Sequence, residues 1–549
     1  MKQIPSKIND KIEHQNYLDM RLIMHCFFDS KIWRFADDAG PNLVLAGKPY
    51  IAAIKSISGM GSNKDVRRGL PEINNISVSL NYRLQDILDI EEIRGRDVGI
   101  KLLLLDDLDP EDPFDNLIDL FYGTIEDVEW DWTDFTMAVS DYSSKMHTSL
   151  PKHIIKSSNW ANADQTAVGK PYPLIFGSLT NFPTLYVDNS GFRYLVGEVP
   201  DGLTFNTVSA VYKDGVVVSA SDYSISYATL DGDDIKCVLI DFTADQGTAA
   251  ITCDCIGIKD DSSGTYTGTA SANITLACDI LYFLLRHSTG LDLTTRRINK
   301  GSIGIARNKL TSLGYSYAGA IRDQVSSTDI FNDLLFAMQG FLQIAAPSGF
   351  FTFDGTLKFN GKMKFRSSAN ISLAIDDGTT LATVLPIDDS MMIGKPLIKK
   401  RQLSLLKTHL TFNFNRNFGQ DIYVSSVSGV MQEPFSYYAR NFRANKSASN
   451  SSAASRYRKT TYDTFNTDWV TDATVANGII TFWKNRLSNL GYEIQWAIGP
   501  KGHKLEVGDN ISLTTVYGPG EAGWSAKTAE IIEIRPQTNQ VGLTLWVKD

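Results

Sequence analysis

The sequence has few cysteines for its length, and their number is odd. Only five occur among 549 residues: Cys26, Cys237, Cys253, Cys255 and Cys278. Disulfide frameworks are typical of short secreted chains with many cysteines in even numbers, so we do not expect one here. The scarcity favours assembly in a reducing compartment such as a cytoplasm.

Long apolar runs and an excess of positive charge are also missing. Runs such as Leu102–Leu105 are far shorter than the ~20 residues that a membrane-spanning helix needs. The N-terminal segment MKQIPSKINDKIEHQNY lacks the apolar core of a signal peptide. The formal net charge of −9 argues against nucleic-acid binding, which depends on a basic surface. We therefore expect a soluble chain with no integral membrane segment and no sequence-specific nucleic-acid site.

The composition that is present is that of a folded, β-rich protein. Hydrophobic residues make up 43% and charged residues 21%, which excludes wholesale disorder. Aromatic residues reach 11%, and these favour half-buried strands. Because 549 residues are too many for one core, we expect three or four domains.

Short strand patterns separated by turns occupy the first third of the chain. In one of them Ile76, Val78 and Leu80 alternate with polar residues, which indicates a strand buried on one face. Many short strands of this kind predict a barrel or sandwich. Residues 1–16 are polar and are predicted to form a loose arm. The strand patterns are Met20–Phe28, Ile32–Phe35, Asn42–Leu45, Ile51–Ile57, Ile73–Leu80, Val98–Leu105, Leu117–Ile125 and Asp134–Val139.

The remainder combines hairpins with a few helices. Asp214-Gly215 and Asp231-Gly232 each separate two strand patterns, as hairpin turns do. We predict a linker at Ser262–Ala272 and a low-complexity loop at Asn445–Arg456. Amphipathic patterns predict three helices: Ile274–His287 capped by Asn273, a helix from Ser327 or Thr328 to Gly340, and Ala473–Asn489. The predicted fold class is mainly β with some α, as antiparallel barrels and sandwich modules joined by these helices.

The stretch Leu150–Gly177 is interpreted as a joint between two β-rich bodies. Its middle is polar and turn-forming, and Pro171 and Pro173 then favour an extended backbone. Leu174–Phe176 is predicted to be a short buried strand that ends at Gly177. No acid, base or nucleophile is concentrated in the stretch, so it indicates architecture rather than chemistry.

The joint also carries a family resemblance. "LP…W…GKPYPLIFG" resembles the joint of siphophage tail hub proteins, including the hub part of lambda-like tail tip proteins and gene-transfer-agent hubs. Further segments resemble the same family in the same order along most of the chain, and their order carries the resemblance more than any one motif. They are Phe121–Val128 (FYGTIEDV), Ala277–Leu291 (ACDILYFLLRHSTGL), Asp333–Leu342 (DLLFAMQGFL) and Leu505–Leu513 (LEVGDNISL).

The resemblance implies a structural, non-enzymatic virion protein at the distal end of a long non-contractile phage tail. As the central hub of the tail tip, or baseplate, it would cap the tail tube for genome delivery. It would form a homotrimer that contacts a distal tail protein, the tape-measure protein and tail fibre or spike proteins, after assembly in the host cytoplasm. Since the sequence ends at Asp549 without fibronectin-like repeats, receptor recognition is expected in other proteins.

The implied domain organisation has six parts. They are an N-terminal arm (1–17), an N-terminal hub β-barrel (18–155), the joint with a β-rich second domain (156–268), a helical segment (269–345), a β-rich third domain (346–470), and a helix with a C-terminal β module (471–549).

We predict no catalytic, cofactor-binding or metal residue. The acidic group Asp106, Asp107, Asp109, Glu111 and Asp112 does not match EF-hand spacing, which favours a solvated loop. Cys253 and Cys255 are predicted to face one side of a strand as a buried pair, and a metal site there stays open. The histidines form no HExxH or triad-like motif; they are His14, His25, His147, His153, His287, His409 and His503.

Basic and glycine-containing motifs are interpreted structurally as well. Gly-Lys-Pro occurs at Gly47, Gly169 and Gly394, and proline after lysine excludes a phosphate-binding loop, so we predict strand-entry turns. The basic residues Lys399, Lys400 and Arg401, and Arg456, Arg458 and Lys459, are predicted to lie on solvated faces. Two other functions stay open: a tail-associated cell-wall hydrolase, which needs paired carboxylates or a metal, and a carbohydrate-binding β-sandwich adhesin.

Overall fold

A computed structural model of the protein places strands and helices along most of the chain, and they are numbered here in chain order. No helix in the described part of the chain has the length and apolarity needed to cross a bilayer. The structure describes residues 6–14, 18–29, 31–37, 40–41, 43–63, 75–81, 92–110, 113–141, 146–229, 235–293, 298, 300–344, 371–375, 385–421 and 442–547.

The N-terminal strands form a closed barrel. Seven of them follow the order β2-β1-β7-β8-β9-β6-β4, and β4 pairs in parallel with β2 to close the ring. Alternate residues such as Phe35, Val78 and Phe121 fill the interior. The strands of this part are β1 (Met20–Phe27), β2 (Ile32–Asp37), β3 (Leu43–Leu45), β4 (Lys48–Ser58), β5 (Ser62–Asn63), β6 (Asn75–Leu80), β7 (Asp97–Leu104), β8 (Leu117–Trp130) and β9 (Phe135–Asp141).

The described part of the predicted loose arm is helical. Ser6–His14 is a helix, α1, whose Ile8 and Ile12 are fully buried against the barrel. These two residues are four apart, so they share one helix face. Two isoleucines among polar residues give too weak a periodic signal to identify such a helix from sequence.

Two joint strands and a two-sheet sandwich follow the barrel. The sandwich has the sheets β12-β19-β15-β16 and β13-β14-β18-β17. The hairpin predicted at Asp214-Gly215 is confirmed between β15 and β16, whereas Asp231-Gly232 lies outside the described residues. The strands are β10 (Ser149–Leu150), β11 (Leu174–Phe176), β12 (Ser178–Pro183), β13 (Leu185–Asp188), β14 (Arg193–Val199), β15 (Thr204–Lys213), β16 (Val216–Val217), β17 (Tyr223–Thr229), β18 (Lys236–Phe242) and β19 (Ile251–Lys259).

The central part places helices against short strands. Its apolar core contains Phe283, Phe331 and Trp469. The helices are α2 (Ala277–Arg286), α3 (Lys300–Ser312), α4 (Ser327–Ala337), α5 (Ser451–Tyr457) and α6 (Ala473–Leu487). The strands are β20 (Gly319–Ile321), β21 (Val325–Ser326), β22 (Gly340–Ile344), β23 (Ile371–Ile375), β26 (His409–Arg416), β27 (Phe442–Ser449) and β28 (Tyr462–Asn466).

One helix prediction and one loop prediction need correction here. The helix α2 begins at Ala277 rather than Ile274, because Asn273 forms an isolated β-bridge with Lys259 instead of a cap. The predicted low-complexity loop Asn445–Arg456 contains the end of β27 and most of α5. Asn450 caps α5 by accepting a hydrogen bond from the backbone of Ala453, a role that asparagine favours.

The last sheet draws its strands from both sides of residue 470, which we predicted as a boundary. Its order is β24-β30-β31-β32-β29-β25, and β5, which follows the barrel strand β4 in the chain, pairs with β31. The segment that leaves the barrel after β4 therefore contributes an additional strand to the last sheet. The strands are β24 (Leu385–Asp388), β25 (Met392–Lys400), β29 (Tyr492–Ile498), β30 (Asn510–Thr515), β31 (Trp524–Pro536) and β32 (Val541–Val547). Short 3-10 helices lie at Pro113–Asn116, Leu403–Leu405, Phe418–Asp421 and Pro500–Lys504.

A buried ion pair connects α6 to the last sheet. Arg486 donates to Glu530 at 2.8 Å, and the two side chains are only 4% and 6% exposed. The guanidinium groups of Arg486 and Arg401 each lie over the Trp546 ring, 4.8 Å from its centroid. A buried pair is costly to break on one side, because the remaining charge loses its partner.

We expect Glu530→Ala to lower the free energy of unfolding by about 3–5 kcal/mol, since it leaves the Arg486 guanidinium buried beside Trp546 without its carboxylate. Removal of both charges in Arg486→Met/Glu530→Leu is expected to restore most of that loss. Urea denaturation of the three proteins, followed by tryptophan fluorescence, measures the difference. A double variant as unstable as Glu530→Ala would contradict this account.

Candidate functional site

Both ends of the joint pair with one later segment of the chain. The strand β10 pairs with β21, where Leu150 lies opposite Val325. The strand β11 pairs with β20, where Ile175 lies opposite Ala320. Residues 319–326 therefore hold the start and the end of the joint in a fixed relation.

The strand β11 faces two different apolar cores. Leu174 and Phe176 belong to the helical core, whereas Ile175 between them belongs to the sandwich core. Successive side chains of a strand point to opposite sides, so three residues suffice to connect the two cores. The prediction of a short buried strand that ends at Gly177 is confirmed.

The polar middle of the joint folds back on the sandwich. The backbone of Ile155 donates to Lys170 at 2.8 Å, and Gly169 donates back to Ile155 at 2.8 Å. The indole of Trp160 donates to the Tyr172 hydroxyl at 2.8 Å, in a small core that also contains Leu195 and Leu239 of the sandwich. A turn-rich sequence thus becomes an ordered loop with buried aromatic anchors.

Gly177 occupies a crowded position with a left-handed backbone. Its φ is +66°, and an added Cβ would lie 2.5 Å from the backbone oxygen of Tyr317. Gly169 also has a positive φ of +83°, but a Cβ there would meet nothing within 4 Å. A side chain at Gly169 would therefore cause backbone strain alone, whereas a side chain at Gly177 would cause both backbone strain and a steric clash.

An open cavity of ≈ 470 Å³ borders the segment that holds the joint. It lies between that segment, the helix α4, the end of β26 and the turn after β28. The charged lining is uneven, with four carboxyl groups and two guanidinium groups. Its polar and aromatic lining residues are Arg322, Asp323, Asp329, Asn332, Asp333, Arg416, Phe418, Asp468 and Trp469.

Both arginines of the cavity already make contacts, although the Arg416 Nε has no hydrogen-bond partner among the described residues. Arg416 donates to the Asp468 carboxylate, and its guanidinium lies 5.3 Å from the Phe418 ring centroid. Arg322 donates to the backbone oxygen of Phe418 at 3.1 Å, and its Nε lies 3.5 Å from the Asp323 carboxylate. Burial raises the pKa of Asp468, and Arg416 opposes that rise.

The carboxyl groups on α4 are in a different situation. Within the part of the chain that the structure describes, no hydrogen bond or ion pair reaches the side chains of Asp329 and Asp333. Burial raises the pKa of Asp333 to about 7, and the nearby Asp468 and Asp329 carboxyls add to the effect. The unmatched negative charge of the cavity therefore lies on its α4 wall.

The described members of the acidic group predicted after β7 are engaged in local contacts rather than in a comparable site. Asp107 forms an ion pair with Lys11 of α1 at 2.5 Å. The backbone oxygen of Asp106 accepts from the Asn116 amide. Glu111 and Asp112 lie outside the described residues.

Cys253 and Cys255 lie side by side in β19 with both thiols in the sandwich core. They therefore face the same way, as their spacing predicts. The hydrogen bond to Cys255 and burial raise the pKa of the Cys253 thiol. Among the described residues there is no grouping of histidine, cysteine and carboxylate side chains that could hold a metal ion.

Three of the histidines make contacts in different parts of the described fold. His25 contacts the Tyr50 hydroxyl at 2.5 Å inside the barrel wall. His153 of the joint contacts the buried carboxylate of Glu198 at 2.9 Å. His287 contacts Thr289 and the backbone oxygen of Asp201. Each of these three has a structural partner in its own surroundings.

The predictions for the basic and Gly-Lys-Pro motifs hold only in part. Gly47 directly precedes β4, but Gly394 lies inside β25 at a break in its pairing register, so it is not a strand-entry turn. Lys399 forms an ion pair with Glu493 at 2.8 Å, and Arg401 packs on Trp546. Lys399 and Lys400 are nevertheless exposed, as are Arg456, Arg458 and Lys459, so the predicted solvated faces are confirmed for these residues and only Arg401 takes part in internal packing.

The sequence did not reveal the cavity because its residues are distant in the chain. Asp333, Arg416 and Asp468 come from three segments and share no local motif. The only local signal was the spacing of Asp329 and Asp333, which places two acids on one face of a predicted helix. That spacing is common on solvated helices and does not identify a site by itself.

Comparison with known proteins gives structural matches only: no family model matches the chain, and neither does any curated protein. The 43 kDa tail protein of prophage MuSo2 from Shewanella oneidensis is 8% identical with a TM-score of 0.39, over 97% of this chain and 100% of that one. A chain of the native gene transfer agent virion is 9% identical with a TM-score of 0.43, over 70% and 86%. A tail protein from Neisseria meningitidis MC58 is 6% identical with a TM-score of 0.39, over 96% of each chain.

We expect Gly177→Ala to destabilise the protein by about 2–5 kcal/mol, because positive φ and a clash with the Tyr317 backbone add together. The matched variant Gly169→Ala keeps only the strain and is expected to cost about 1–2 kcal/mol. Urea denaturation of both variants beside the parent protein measures the two losses. Equal losses would show that the crowding at Gly177 is not a constraint.

We expect Asp333→Asn to change how stability depends on pH. The folded pKa of about 7 lies above the ordinary value of 3.8, so the folded state keeps a proton that the unfolded state has lost. The free energy of unfolding of the parent protein should therefore fall as pH rises through that window. The free energy of unfolding of Asp333→Asn should exceed that of the parent by about 1–3 kcal/mol at about pH 8, and the two should be equal at about pH 4. Denaturation curves measured across this pH range give the free energy of unfolding of each protein, and Asp201→Asn serves as a control at an exposed carboxyl. If the free energy of unfolding of Asp333→Asn and that of the parent change equally with pH, the raised pKa is contradicted.

Proposed function

We propose that the chain is a structural virion protein that forms the central hub at the distal tip of a long non-contractile phage tail. In this role it caps the tail tube and connects a distal tail protein, the end of the tape-measure protein and the fibres or spike. The proposal takes its first support from the segments that resemble tail hub proteins, since they follow one another in family order. The role requires no catalytic residue and no cofactor.

The observation that carries the proposal is the order of the folded modules. A closed barrel comes first, then an ordered joint, a two-sheet sandwich, a helical body and a last sheet, as the resemblance implies. The segment Phe121–Val128 lies in a barrel strand, and Ala277–Leu291 contains α2. Leu505–Leu513 leads into β30 of the last sheet. The six-part division given by the sequence is retained as a proposal for the domain organisation.

The way in which the modules are connected suits a protein that transmits load. The barrel is attached to the rest of the chain by the joint and also by the pairing of β5 with β31. Closed barrels and paired edges leave few free strand edges for uncontrolled association. Such a body can serve as a stiff connector between a tube and its distal attachments.

A homotrimer around the tail axis is part of the proposal. Closed cyclic symmetry is the usual way in which identical chains complete a ring. Three chains carry a formal charge of 3 × (−9) = −27, so basic side chains at contacts would reduce repulsion. We propose that the chain is assembled into the particle in the host cytoplasm. Its final location is then the tail tip of the virion.

A cell-wall hydrolase is the second candidate, because the cavity beside α4 contains carboxyl groups. Asp333 has a raised pKa, as a general acid needs, and Asp468 lies on the facing side. However, Asp468 is engaged by Arg416, and Asp329 lies on the same helix as Asp333. Glycosidases place free carboxyl groups on both sides of the scissile bond. Peptidoglycan digestion that is lost in Asp333→Asn would favour this candidate over the hub.

We expect tail tips imaged by electron cryo-microscopy to contain three copies of this chain in a ring, because a hub must close around the tail axis. Native mass measurement of the purified chain, and density for the N-terminal barrel at the distal end of the tube, test the same point. A chain located along the tube or in the head, or present in one or six copies, would contradict the proposed hub.

A further inference from the structure

Three hydrogen-bond acceptors on the α4 wall of the cavity have no donor. The side chains of Asp329 and Asp333 are four residues apart and share a helix face that lines the cavity. Asn332 lines it too, and its Oδ1 is buried without a hydrogen-bond partner among the described residues. Buried polar atoms in native proteins are nearly always paired, and the Asn332 oxygen departs from that rule. Asp333 is half-buried and Asp329 is exposed, and both add negative charge beside that oxygen, so this wall is complementary to a donor-rich group.

The charge of the cavity indicates that this group is a cation. With all groups ionised, four aspartates and two arginines give −4 + 2 = −2. The arginines are directed to Asp468, Asp323 and the Phe418 backbone. The remaining negative charge is on Asp329 and Asp333, which attract a cation and repel an anion.

The shape of the lining favours a guanidinium group over an ammonium group or a metal ion. A guanidinium presents five N–H donors in one plane, so it can reach acceptors that are spread along a helix face. The described side chains include no grouping suited to a metal ion.

We propose that this cavity is the docking site for an arginine side chain of another virion protein. The choice of a virion protein rests on the proposed function. A second copy of this chain is the less complementary partner, because it would bring a net charge of −9 towards a negative cavity. A neighbouring protein that presents a basic segment matches the cavity in charge.

The protonation of Asp333 makes the affinity for the guanidinium group depend on pH. Its pKa lies at about 7 because burial disfavours the charged form. An incoming guanidinium favours the ionised form and therefore releases a proton. Binding should strengthen as pH rises through neutrality and weaken in acid.

The first experiment titrates the purified full-length chain with N-acetyl-arginine methylamide, followed by ligand-observed NMR. We expect saturable binding that weakens ~10-fold or more in Asp329→Asn/Asp333→Asn, since each lost charge-assisted hydrogen bond removes about that factor. Asp201→Asn, an exposed carboxyl outside the cavity, should bind as the parent does. The lysine analogue should bind more weakly, and raising the pH from about 6 to about 8 should strengthen arginine binding.

Several results would overturn the proposal. They are no saturable binding by the parent chain, equal binding by the double variant, or equal affinity for the lysine and arginine analogues. Thermal melts of the double variant check that it is folded, and Asp333→Asn alone is the milder substitute if it is not. Because this titration uses the isolated chain, its failure does not depend on where the chain lies in a particle.

The second experiment identifies the source of the arginine. A photo-crosslinking residue replaces Val325, which is 39% exposed at the cavity, and purified particles are irradiated. A cross-linked peptide from a different virion protein, with an arginine at the cross-link, supports the proposal. A cross-linked peptide from a second copy of this chain overturns it. If this chain is absent from the tail tip of the particles, the proposed hub function is overturned instead. The titration of the isolated chain then still decides whether the cavity binds arginine.

Discussion

The antiparallel pairing of β11 with β20 is the interaction on which the arrangement of the other modules depends. Both strands alternate between two cores: Leu174, Phe176 and Ile321 face the helical core, whereas Ile175 and Ala320 face the sandwich core. A strand that is buried on both faces needs a continuous apolar run, and Leu-Ile-Phe supplies it. Loss of this pairing would separate two apolar cores at once, which is why a three-residue strand matters so much to a chain of 549 residues.

Two aspartates of this molecule with raised pKa values differ in whether a cation pairs with them. This difference separates a structural contact from the candidate site. Burial raises the pKa of Asp279 to about 6, but Arg307 pairs with it at 2.8 Å and connects α2 to α3. Burial raises the pKa of Asp333 in a similar way, yet no ion pair among the described residues compensates it. The first arrangement stabilises a packing contact. The second leaves free energy that a cationic partner can recover, and such uncompensated groups are concentrated at functional sites.

Local patterns in the sequence were enough to predict most strands, the hairpin at Asp214-Gly215 and the buried strand at the joint. They were not enough to predict closure of the barrel. Closure depends on the parallel pairing of β2 with β4, and a strand pattern does not indicate which other strand it pairs with. The helix α3 escaped prediction because Gly301 and Gly304 lower its helix propensity and few of its residues are buried. The cavity escaped for a related reason: its arginines and aspartates meet only after three distant segments have packed.

The location of the cavity connects the candidate site to the joint in physical terms. Val325 lines the cavity and also pairs with Leu150, at the point where the N-terminal barrel is attached. Ile321 lines it and pairs with Leu174 of β11. A group that binds here therefore contacts the same short segment that positions the barrel against the two cores.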